Sequence, residues 1–565
     1  MNQKKYLYFI WAIFLLALAA RIIYLLQTKD NPVFFPGRNE LDPALYQARA
    51  ELIAKNIFSW RPDFIYGTPL YPYFLAGIYR LFGANIFAAR LIQTLLGALS
   101  CLLIYFISAR VFNRRGALIS MLICSLYGIL IFYEGLLVPV SLTILLTCLI
   151  MLLLLTIQEN SRPLSWFALG LLVGLGSLNY PSLLLFIPLV LIWFGLSGLG
   201  GVRQKFLAGL TFLAAVVTVI APITLRNYRI TGEFIPISAH SGINFYIGNN
   251  PRADGTFQPL ASTPTSAQGL LADSIREAQL QSGRPLTPAQ VSRFWFAKSG
   301  QFIKAQPLKY ARLLLRKVAL LFNGAEIFDV EDYGFFRKNF PTVLNFPLPN
   351  FRLVAPLALL GLVLSARYWK KCLPLYLLLG AFSVSIVAYF VNVRYRLPMA
   401  PFLIIFAGFT IDWWATNLKS KNFKLVLLSL AVLVVLILAT NLKLVAQDEV
   451  SQYNNLGVAY KESGQYELAI AAYKEALKLQ PALAQTRSNL GNLYNATGQY
   501  ALAVQELKQA LVLDNNLAVA HHNLGIAYTA LGKINLAIAE YKKAIKLRPD
   551  LSAARENLRR LENND

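Results

Sequence analysis

The stretch YLYFIWAIFLLALAARIIYLL, residues 6–26, decides the class of fold. Arg21 is its single charged residue. A helix of about 20 apolar residues, each rising about 1.5 Å, crosses the hydrocarbon core of a bilayer. The stretch is too long for the apolar part of a signal peptide, and it lacks a small-residue cleavage site. We therefore expect a retained membrane anchor.

Further apolar runs predict a polytopic membrane protein, as does the hydrophobic content of 56% over 565 residues. We expect a mainly α-helical bundle of about eleven spans. The candidate spans lie near 6–26, 87–109, 116–133, 135–157, 164–179, 181–197, 206–224, 352–366, 373–391, 399–416 and 424–444.

The formal net charge of +25 is explained by location. Short basic connectors follow every second span, as at Arg114-Arg115 and Lys370-Lys371. The positive-inside rule places these connectors, and the N-terminus, in the cytoplasm. Segments 27–86, 225–351 and 392–398, and everything after residue 444, then face the other side. Because topology accounts for the charge, we expect no nucleic-acid binding.

Cysteine and histidine give no metal motif. The four cysteines lie in or beside apolar runs without a CxxC pair, and the three histidines have no carboxylate at a ligand spacing. We expect no tightly bound cofactor, and leave a requirement for a divalent metal open.

After about residue 445 the sequence repeats with a 34-residue period. Asn-Leu-Gly recurs at 455–457, 489–491 and 523–525, and Pro481, Asn515 and Pro549 close the units. This signature resembles the tetratricopeptide repeat, an array of paired helices that binds peptides or proteins. We predict two domains, a membrane domain at 1–445 and a repeat domain at 446–565. The latter would hold three repeats and a capping helix, Ala553–Glu562.

The long outer segment 225–351 divides into two parts. Residues 232–257, GEFIPISAHSGINFYIGNNPRADGTF, predict short strands and turns. Residues 286–322 predict two helices, the first capped by Thr287 and the second beginning at Pro307. The second helix carries basic residues beside an apolar face, which is typical of a helix at a membrane surface.

Carboxylates and bases mix at the predicted outer face, which makes that face the candidate site. Its ionisable residues are Glu40, Asp42, Arg49, Glu134, Lys317, Glu326, Asp329, Glu331, Asp332, Arg394 and Arg396. Asp42 precedes Pro43, so it also suits an ordinary helix N-cap. A helix starting at Pro43 would place Tyr46 and Arg49 on the face that Asp42 caps.

Several stretches together resemble the polytopic GT-C glycosyltransferases, in the branch of protein O-mannosyltransferases and lipid A aminoarabinose transferases. The resemblance extends over about residues 5–415. It rests on LDPALYQARAELIA (41–54), GTPLYPYFLAGIYRLFG (67–83), YEGLLVPVSL (133–142), RNYRITGEF (226–234), LLLRKVALLFNGAEI (313–327) and NVRYRLPMAPFLIIFAG (392–408).

The resemblance implies a fold of eleven to thirteen spans and a sugar donor on polyprenyl phosphate. It implies that Asp42 is the general base, with Glu40 as the rival and the cap-only role still open. Arg394 and Arg396, with Lys317 second, would bind the leaving phosphate, although each could instead be a headgroup anchor. Tyr46, Arg49, Glu134 and Glu326 would contribute to the pocket, or the two glutamates could be solvated loop ends.

Departures from the family leave the sugar and the acceptor open. Pro43 stands where mannosyltransferases carry Glu, and Gly67-Thr68-Pro69 replaces a Lys-Pro-Pro. We predict an inverting hexosyl- or pentosyltransferase of a bacterial plasma membrane, with repeats that recruit an acceptor or partner protein. A non-enzymatic membrane scaffold and a transporter of lipid-linked sugars are the alternatives; the second usually shows duplicated spans, which this sequence lacks.

Overall fold

The computed structural model describes residues 3–34, 42–59, 61–197, 200–258, 267–327, 331–445 and 448–563. The candidate site residues Glu40 and Asp329 lie outside these ranges. The chain divides into two compact units. The first comprises Met1–Asp30 and Glu40–Val445, and the second comprises Asn31–Asn39 and Ala446–Asp565.

The described part of the first unit consists of helices, short 3-10 turns and connecting loops, without a strand. Its helices are α1 (Gln3–Gln27), α2 (Asp42–Lys55), α3 (Leu70–Phe82), α4 (Ile86–Val111), α5 (Arg114–Ser125), α6 (Gly128–Glu134), α7 (Val140–Glu159), α8 (Pro163–Asn179), α9 (Phe186–Leu196), α10 (Val202–Thr231), α11 (Ser241–Gly248), α12 (Ala267–Ser282), α13 (Pro288–Ala305), α14 (Pro307–Leu321), α15 (Tyr333–Asn339), α16 (Phe351–Leu364), α17 (Trp369–Ala388), α18 (Val393–Arg396), α19 (Ala400–Lys419) and α20 (Phe423–Thr440).

The predicted class, a mainly helical membrane protein, is confirmed. Seven helical segments among the described residues are long and apolar enough to cross a membrane. An eighth results if α5 and α6, which meet at 51°, form one broken span. Helix α8 and the segment Pro181–Leu196, two of the eleven predicted spans, are apolar but shorter. The number of spans therefore stays a prediction.

The helical segment Phe351–Ala388 turns back on itself. A straight helix of 38 residues would be about 57 Å long. However, the Phe351 ring lies 3.8 Å from the Arg396 guanidinium, and Ala388 is at most about 28 Å of chain from Arg396. The Ser365 and Tyr376 hydroxyls lie 2.8 Å apart, whereas a straight helix would separate the two residues by about 16 Å. The segment therefore turns near the 3-10 turn Ser365–Tyr368. Such a turn is what the predicted pair of spans, 352–366 and 373–391, needs, because two consecutive spans run in opposite directions.

Small residues allow the helices of the bundle to approach closely. A Cβ at Gly170 of α8 would lie 2.3 Å from the Phe212 carbonyl oxygen of α10. A Cβ at Gly408 of α19 would lie 2.2 Å from the Ser120 hydroxyl of α5. In a bilayer, where lipid is as apolar as leucine, such close packing is a main source of helix association.

The prediction of strands at 232–257 is wrong: this stretch forms α11 and turns. Ile243 and Ile247 are one helical turn apart, and both pack against Val291 and Trp295. A Cβ at Gly242 would lie 2.0 Å from the Ser292 carbonyl oxygen, so glycine lets α11 lie directly on α13. A four-residue apolar spacing within a Gly- and Asn-rich sequence therefore forms a helix here.

The two helices predicted at 286–322 are α13 and α14, with the break before Pro307. Thr287 lies at the N-cap of α13, and its hydroxyl donates to Glu233 over 2.8 Å. The backbone amide of Ala289 donates to the same carboxylate. Glu233 therefore stabilises the beginning of α13.

The second unit is a helical repeat array, as predicted. Its helices are α21 (Glu449–Glu462), α22 (Tyr466–Leu479), α23 (Ala484–Ala496), α24 (Tyr500–Leu513), α25 (Ala518–Ala530), α26 (Ile534–Leu547) and the final α27 (Ser552–Glu562). Glycines 464, 498 and 532 have φ near +70°, a conformation that favours glycine, and each ends the first helix of a pair. Buried alanines, leucines and tyrosines form one continuous core through the array.

Candidate active site

Asp42 and Arg394 form an ion pair at the start of α2. Arg394 donates from Nη1 to Oδ2 of Asp42, although 352 positions separate them in sequence. The Asp42 side chain is 29% exposed, and that of Arg394 is 12% exposed. Burial alone would raise the pKa of Asp42, but Arg394 and, to a smaller extent, His240 and Arg49 lower it below its usual value. Asp42 is therefore ionised near neutral pH, as a general base must be.

Backbone hydrogen bonds fix the segment that carries Arg394. The amide of Val391 donates to the Gly255 carbonyl (2.9 Å), and that of Val393 donates to the Ile327 carbonyl (2.8 Å). The Asn392 side chain caps the short helix α18. Segment 225–351 thus positions Arg394. Sequence patterns did not indicate these backbone contacts.

Tyr46 and Arg49 lie on α2 within the same site, as the helical spacing predicted. The Tyr46 ring packs edge-on against Tyr71, with centroids 5.1 Å apart. Burial raises the pKa of Tyr46, so its hydroxyl stays protonated as a hydrogen-bond donor. The Arg49 guanidinium lies 5.5 Å from the Phe64 ring centroid, and a Cβ at Gly67 would lie 2.7 Å from it. Gly67 also has φ +110°. Both its backbone conformation and the nearby Arg49 side chain therefore favour glycine at this position.

His240 is a site residue that the sequence analysis missed. It interacts electrostatically with Asp42 and Arg49, and its ring lies edge-on to Tyr66 at 6.1 Å. The amide of Ala239 donates to the Ile65 carbonyl, and that of Gly67 donates to the Ser238 hydroxyl. Burial lowers the pKa of His240 to about 4, so the ring is neutral. Only the fold brings residues 65–67 and 238–240 together, and no local pattern marks His240.

Arg396 is two residues from Arg394 but makes a separate set of contacts. It donates to Glu326 (2.7 Å) and to the carbonyls of Asn323 (2.6 Å) and Ala325 (3.0 Å). Its side chain is 2% exposed. Burial raises the pKa of Glu326, and the pairing with Arg396 partly offsets this. The predicted phosphate ligand Arg396 and the predicted pocket residue Glu326 therefore pair with each other.

Lys317 is buried within segment 225–351. Its ammonium donates to Oδ1 of Asn249 over 2.9 Å, and Asn249 donates in turn to the Ala388 carbonyl. Burial lowers the pKa of Lys317 to about 7. Lys317 is thus connected through Asn249 to the end of α17.

Glu134 also pairs internally. It accepts from Arg21 over 2.8 Å, and both side chains are buried. A Cβ at Gly97 would lie 2.1 Å from this carboxylate, so the glycine makes room for it. Gln93 connects this region to the site, since its amide donates to the Glu134 carbonyl and its oxygen accepts from the Tyr71 hydroxyl. Of the candidate site residues, Asp42, Tyr46, Arg49 and Arg394 thus lie together, whereas Glu134, Lys317, Glu326 and Arg396 make separate contacts.

A metal centre is not evident in the described parts of the chain, where no three His, Cys, Asp or Glu side chains group closely enough to hold an ion. Metal-free catalysis remains a prediction.

Comparison with known protein families gives a match for one segment of the membrane unit. Residues 66–224 match the model of the dolichyl-phosphate-mannose-protein mannosyltransferases. This segment of the chain is of the protein-mannosyltransferase type. The match supports glycosyltransferase activity and agrees with the resemblance drawn from the sequence. Asp42, His240 and Arg394 lie outside the matched residues, so the family match does not test the candidate site.

The C-terminal residues of the chain match tetratricopeptide-repeat models at 457–496, 491–532 and 518–551. Solved repeat structures resemble the same part. The first tetratricopeptide domain of Spaghetti (RPAP3), bound to an HSP90 peptide, is 23% identical, with 21% of this chain and 95% of that one covered and a TM-score of 0.21. The Arabidopsis OM64 domain is 24% identical, with 21% of this chain and 97% of that one covered and a TM-score of 0.21. The Sgt2 domain of Aspergillus fumigatus is 26% identical, with 21% of this chain and 80% of that one covered and a TM-score of 0.20. No curated protein matches the chain.

Proposed function

We propose that the protein is an inverting glycosyltransferase that moves a sugar from a polyprenyl-phosphate donor to an extracytoplasmic acceptor. The ion pair between Asp42 and Arg394 carries this proposal. It places an ionised carboxylate beside a guanidinium at one end of the helical bundle, and the matched family uses lipid-linked donors.

In this mechanism the Asp42 carboxylate accepts the proton of an acceptor hydroxyl. The acceptor oxygen attacks the anomeric carbon, and the bond from that carbon to the phosphate oxygen breaks on the opposite face. The polyprenyl phosphate leaves with the electron pair, and a guanidinium offsets its charge. Attack opposite the leaving group inverts the anomeric configuration.

Arg394 has two roles in this scheme. Without substrate it pairs with Asp42 and holds the carboxylate ionised. The donor phosphate, as a stronger bidentate partner, draws the guanidinium away from Asp42. The pKa of Asp42 then rises towards its usual value, and the carboxylate becomes a stronger base as the reaction centre assembles. Donor binding therefore activates the base.

The supporting residues follow from the same geometry. Tyr46 and the neutral ring of His240 line the position where the acceptor hydroxyl meets Asp42, and Arg49 adds positive charge beside it. We propose that the repeats recruit a protein acceptor or a partner in envelope assembly, since such arrays bind proteins. The membrane of residence is proposed to be a bacterial plasma membrane.

Synthetic polyprenyl-phosphate sugars test the proposal directly. The full-length protein should release sugar from at least one hexosyl or pentosyl donor, and lipid extracted from the purified protein should contain polyprenyl-phosphate sugar by mass spectrometry. Arg394→Gln should weaken donor binding at least tenfold, and Arg394→Lys should restore part of it. A protein that carries no such lipid and turns over none of the donors would overturn the assignment and favour the scaffold.

A further inference from the structure

The outward surface of α14 has two stripes, one apolar and one basic. Leu308, Leu315 and Val318 are exposed, with Leu308 77% and Leu315 72% accessible. Lys309, Arg312 and Arg316 are exposed too. At about 100° per residue, the apolar side chains fall within one arc of the helix, and the three bases occupy the adjoining arc.

The inward surface of α14 is fully used by the fold. Four side chains on this surface are buried: Leu313, Lys317, Leu320 and Leu321. Lys317 donates to Asn249, and both Lys317 and Leu320 lie beside Gly255. The three outward bases, by contrast, make no ion pair with any residue in the described ranges. The sequence of α14, PLKYARLLLRKVALL, contains no acidic residue. The helix thus presents an uncompensated positive stripe to its surroundings.

Hydrogen bonds place α14 at the level where the last span ends. The Arg316 guanidinium donates to the Leu444 carbonyl over 3.2 Å, just beyond α20. The Asn323 side chain donates to the Leu442 carbonyl over 2.9 Å, and the amide of Gly324 donates to the Thr440 carbonyl over 2.6 Å. Helix α20 is long and apolar enough to cross a membrane. If it does so, the C-terminal half of α14 lies where the bilayer passes from hydrocarbon to headgroups.

We propose that α14 is a binding surface for anionic glycerophospholipids. Leu308, Leu315 and Val318 insert among the upper parts of the acyl chains, and Lys309, Arg312 and Arg316 contact headgroup phosphates and the additional negative charge of an anionic lipid. Zwitterionic lipids satisfy the apolar stripe equally well but supply no net charge. The surface therefore selects by headgroup charge, with each base near the membrane worth about 1 kcal/mol of attraction to anionic lipid.

The thermal midpoint of the full-length protein in mixed micelles tests this proposal, with palmitoyl-oleoyl phosphatidylglycerol compared against the matching phosphatidylcholine. We expect phosphatidylglycerol to raise the midpoint more than phosphatidylcholine does. Lys309→Gln/Arg312→Gln should lose at least half of that difference and keep the response to phosphatidylcholine. The matched control Lys474→Gln/Lys508→Gln removes two exposed charges from the repeat helices and should respond as the wild type does.

Two further measurements complete the test without relying on one variant. Leu308→Ser/Leu315→Ser should weaken the response to both lipids alike. In the wild type, about 0.5 M NaCl should abolish the advantage of phosphatidylglycerol, because the Debye length falls to about 4 Å. Equal responses of the wild type to the two lipids, a difference that survives salt, or a full difference in the Lys309→Gln/Arg312→Gln protein would each overturn the proposal.

Discussion

Arg394 donates a hydrogen bond to Asp42, which joins the beginning of α2 to the segment between α17 and α19. Neither residue lies within the part of the chain that matches the mannosyltransferase model. The chemistry proposed here therefore depends on two segments that lie far apart in the sequence of the first unit.

Asp42→Asn should reduce sugar transfer by about 10²- to 10⁴-fold, because an amide cannot accept the acceptor proton. Transfer from a synthetic polyprenyl-phosphate donor to acceptor measures this loss. Donor affinity should change little or increase, since Arg394 no longer has a carboxylate partner. Asp42→Glu serves as the control that retains a base. Full activity of the Asn protein would favour a non-enzymatic scaffold.

Arg396→Gln should act on stability, in contrast to Arg394→Gln. Arg396 is buried with Glu326, and removing one partner of a buried pair costs about 3–5 kcal/mol. Thermal unfolding in detergent should show a lower midpoint for Arg396→Gln and for Glu326→Gln. Arg396→Gln/Glu326→Gln should recover part of the loss, since no buried charge is then left unpaired. Unchanged stability of all three, with weaker donor binding by Arg396→Gln, would instead support a role for Arg396 in phosphate binding.

Lys317 should make the stability of the protein depend on alkaline pH. Burial lowers its pKa to about 7 in the folded protein, whereas the unfolded chain binds this proton up to about pH 10.4. Between these values the unfolded state binds more protons, so stability rises with pH. Relative to Lys317→Met, the wild type should gain in thermal midpoint from pH 7 to pH 10. A constant difference between the two proteins would show that the lysine titrates normally.

Removal of residues 450–565 should impair acceptor use more than donor use. The repeats form a compact unit with its own core, and such arrays bind proteins without catalysing reactions. Donor hydrolysis in water and transfer to acceptor are measured side by side on the truncated protein, with gel filtration as the check on folding. Equal loss of both reactions, or no loss, would argue against recruitment by the repeats.

Much of this architecture was accessible from the sequence, because the signals involved are local. Apolar run length predicted the membrane helices, and the 34-residue period predicted the repeat pairs. The Asp-Pro signal predicted a helix starting at Pro43, and α2 begins one residue earlier, at Asp42. Arg394 stood out because a base at the predicted outer face runs against the topology rule.

What the sequence could not provide depends on contacts between distant segments. His240 has no distinguishing neighbours in the chain, and it joins the site only because residues 238–239 hydrogen-bond to residues 65–67. The strands expected at 232–257 failed for a related reason: Gly242 and Asn249 look like turn residues, yet they serve close packing and side-chain hydrogen bonds. The pairing of Arg396 with Glu326 likewise appears only in the folded chain.

Asn323 links the end of α20 to the segment that carries Arg394 through hydrogen bonds. Its side chain holds the Leu442 carbonyl, and its own carbonyl accepts from Arg396. Together with the bond from the Gly324 amide to the Thr440 carbonyl, Asn323 ties the end of α20 to the short segment that carries Arg394 and Arg396. The end of α20 and the segment beside Asp42 would therefore move as one piece, so a shift of this helix end would change the position of Arg394 relative to Asp42.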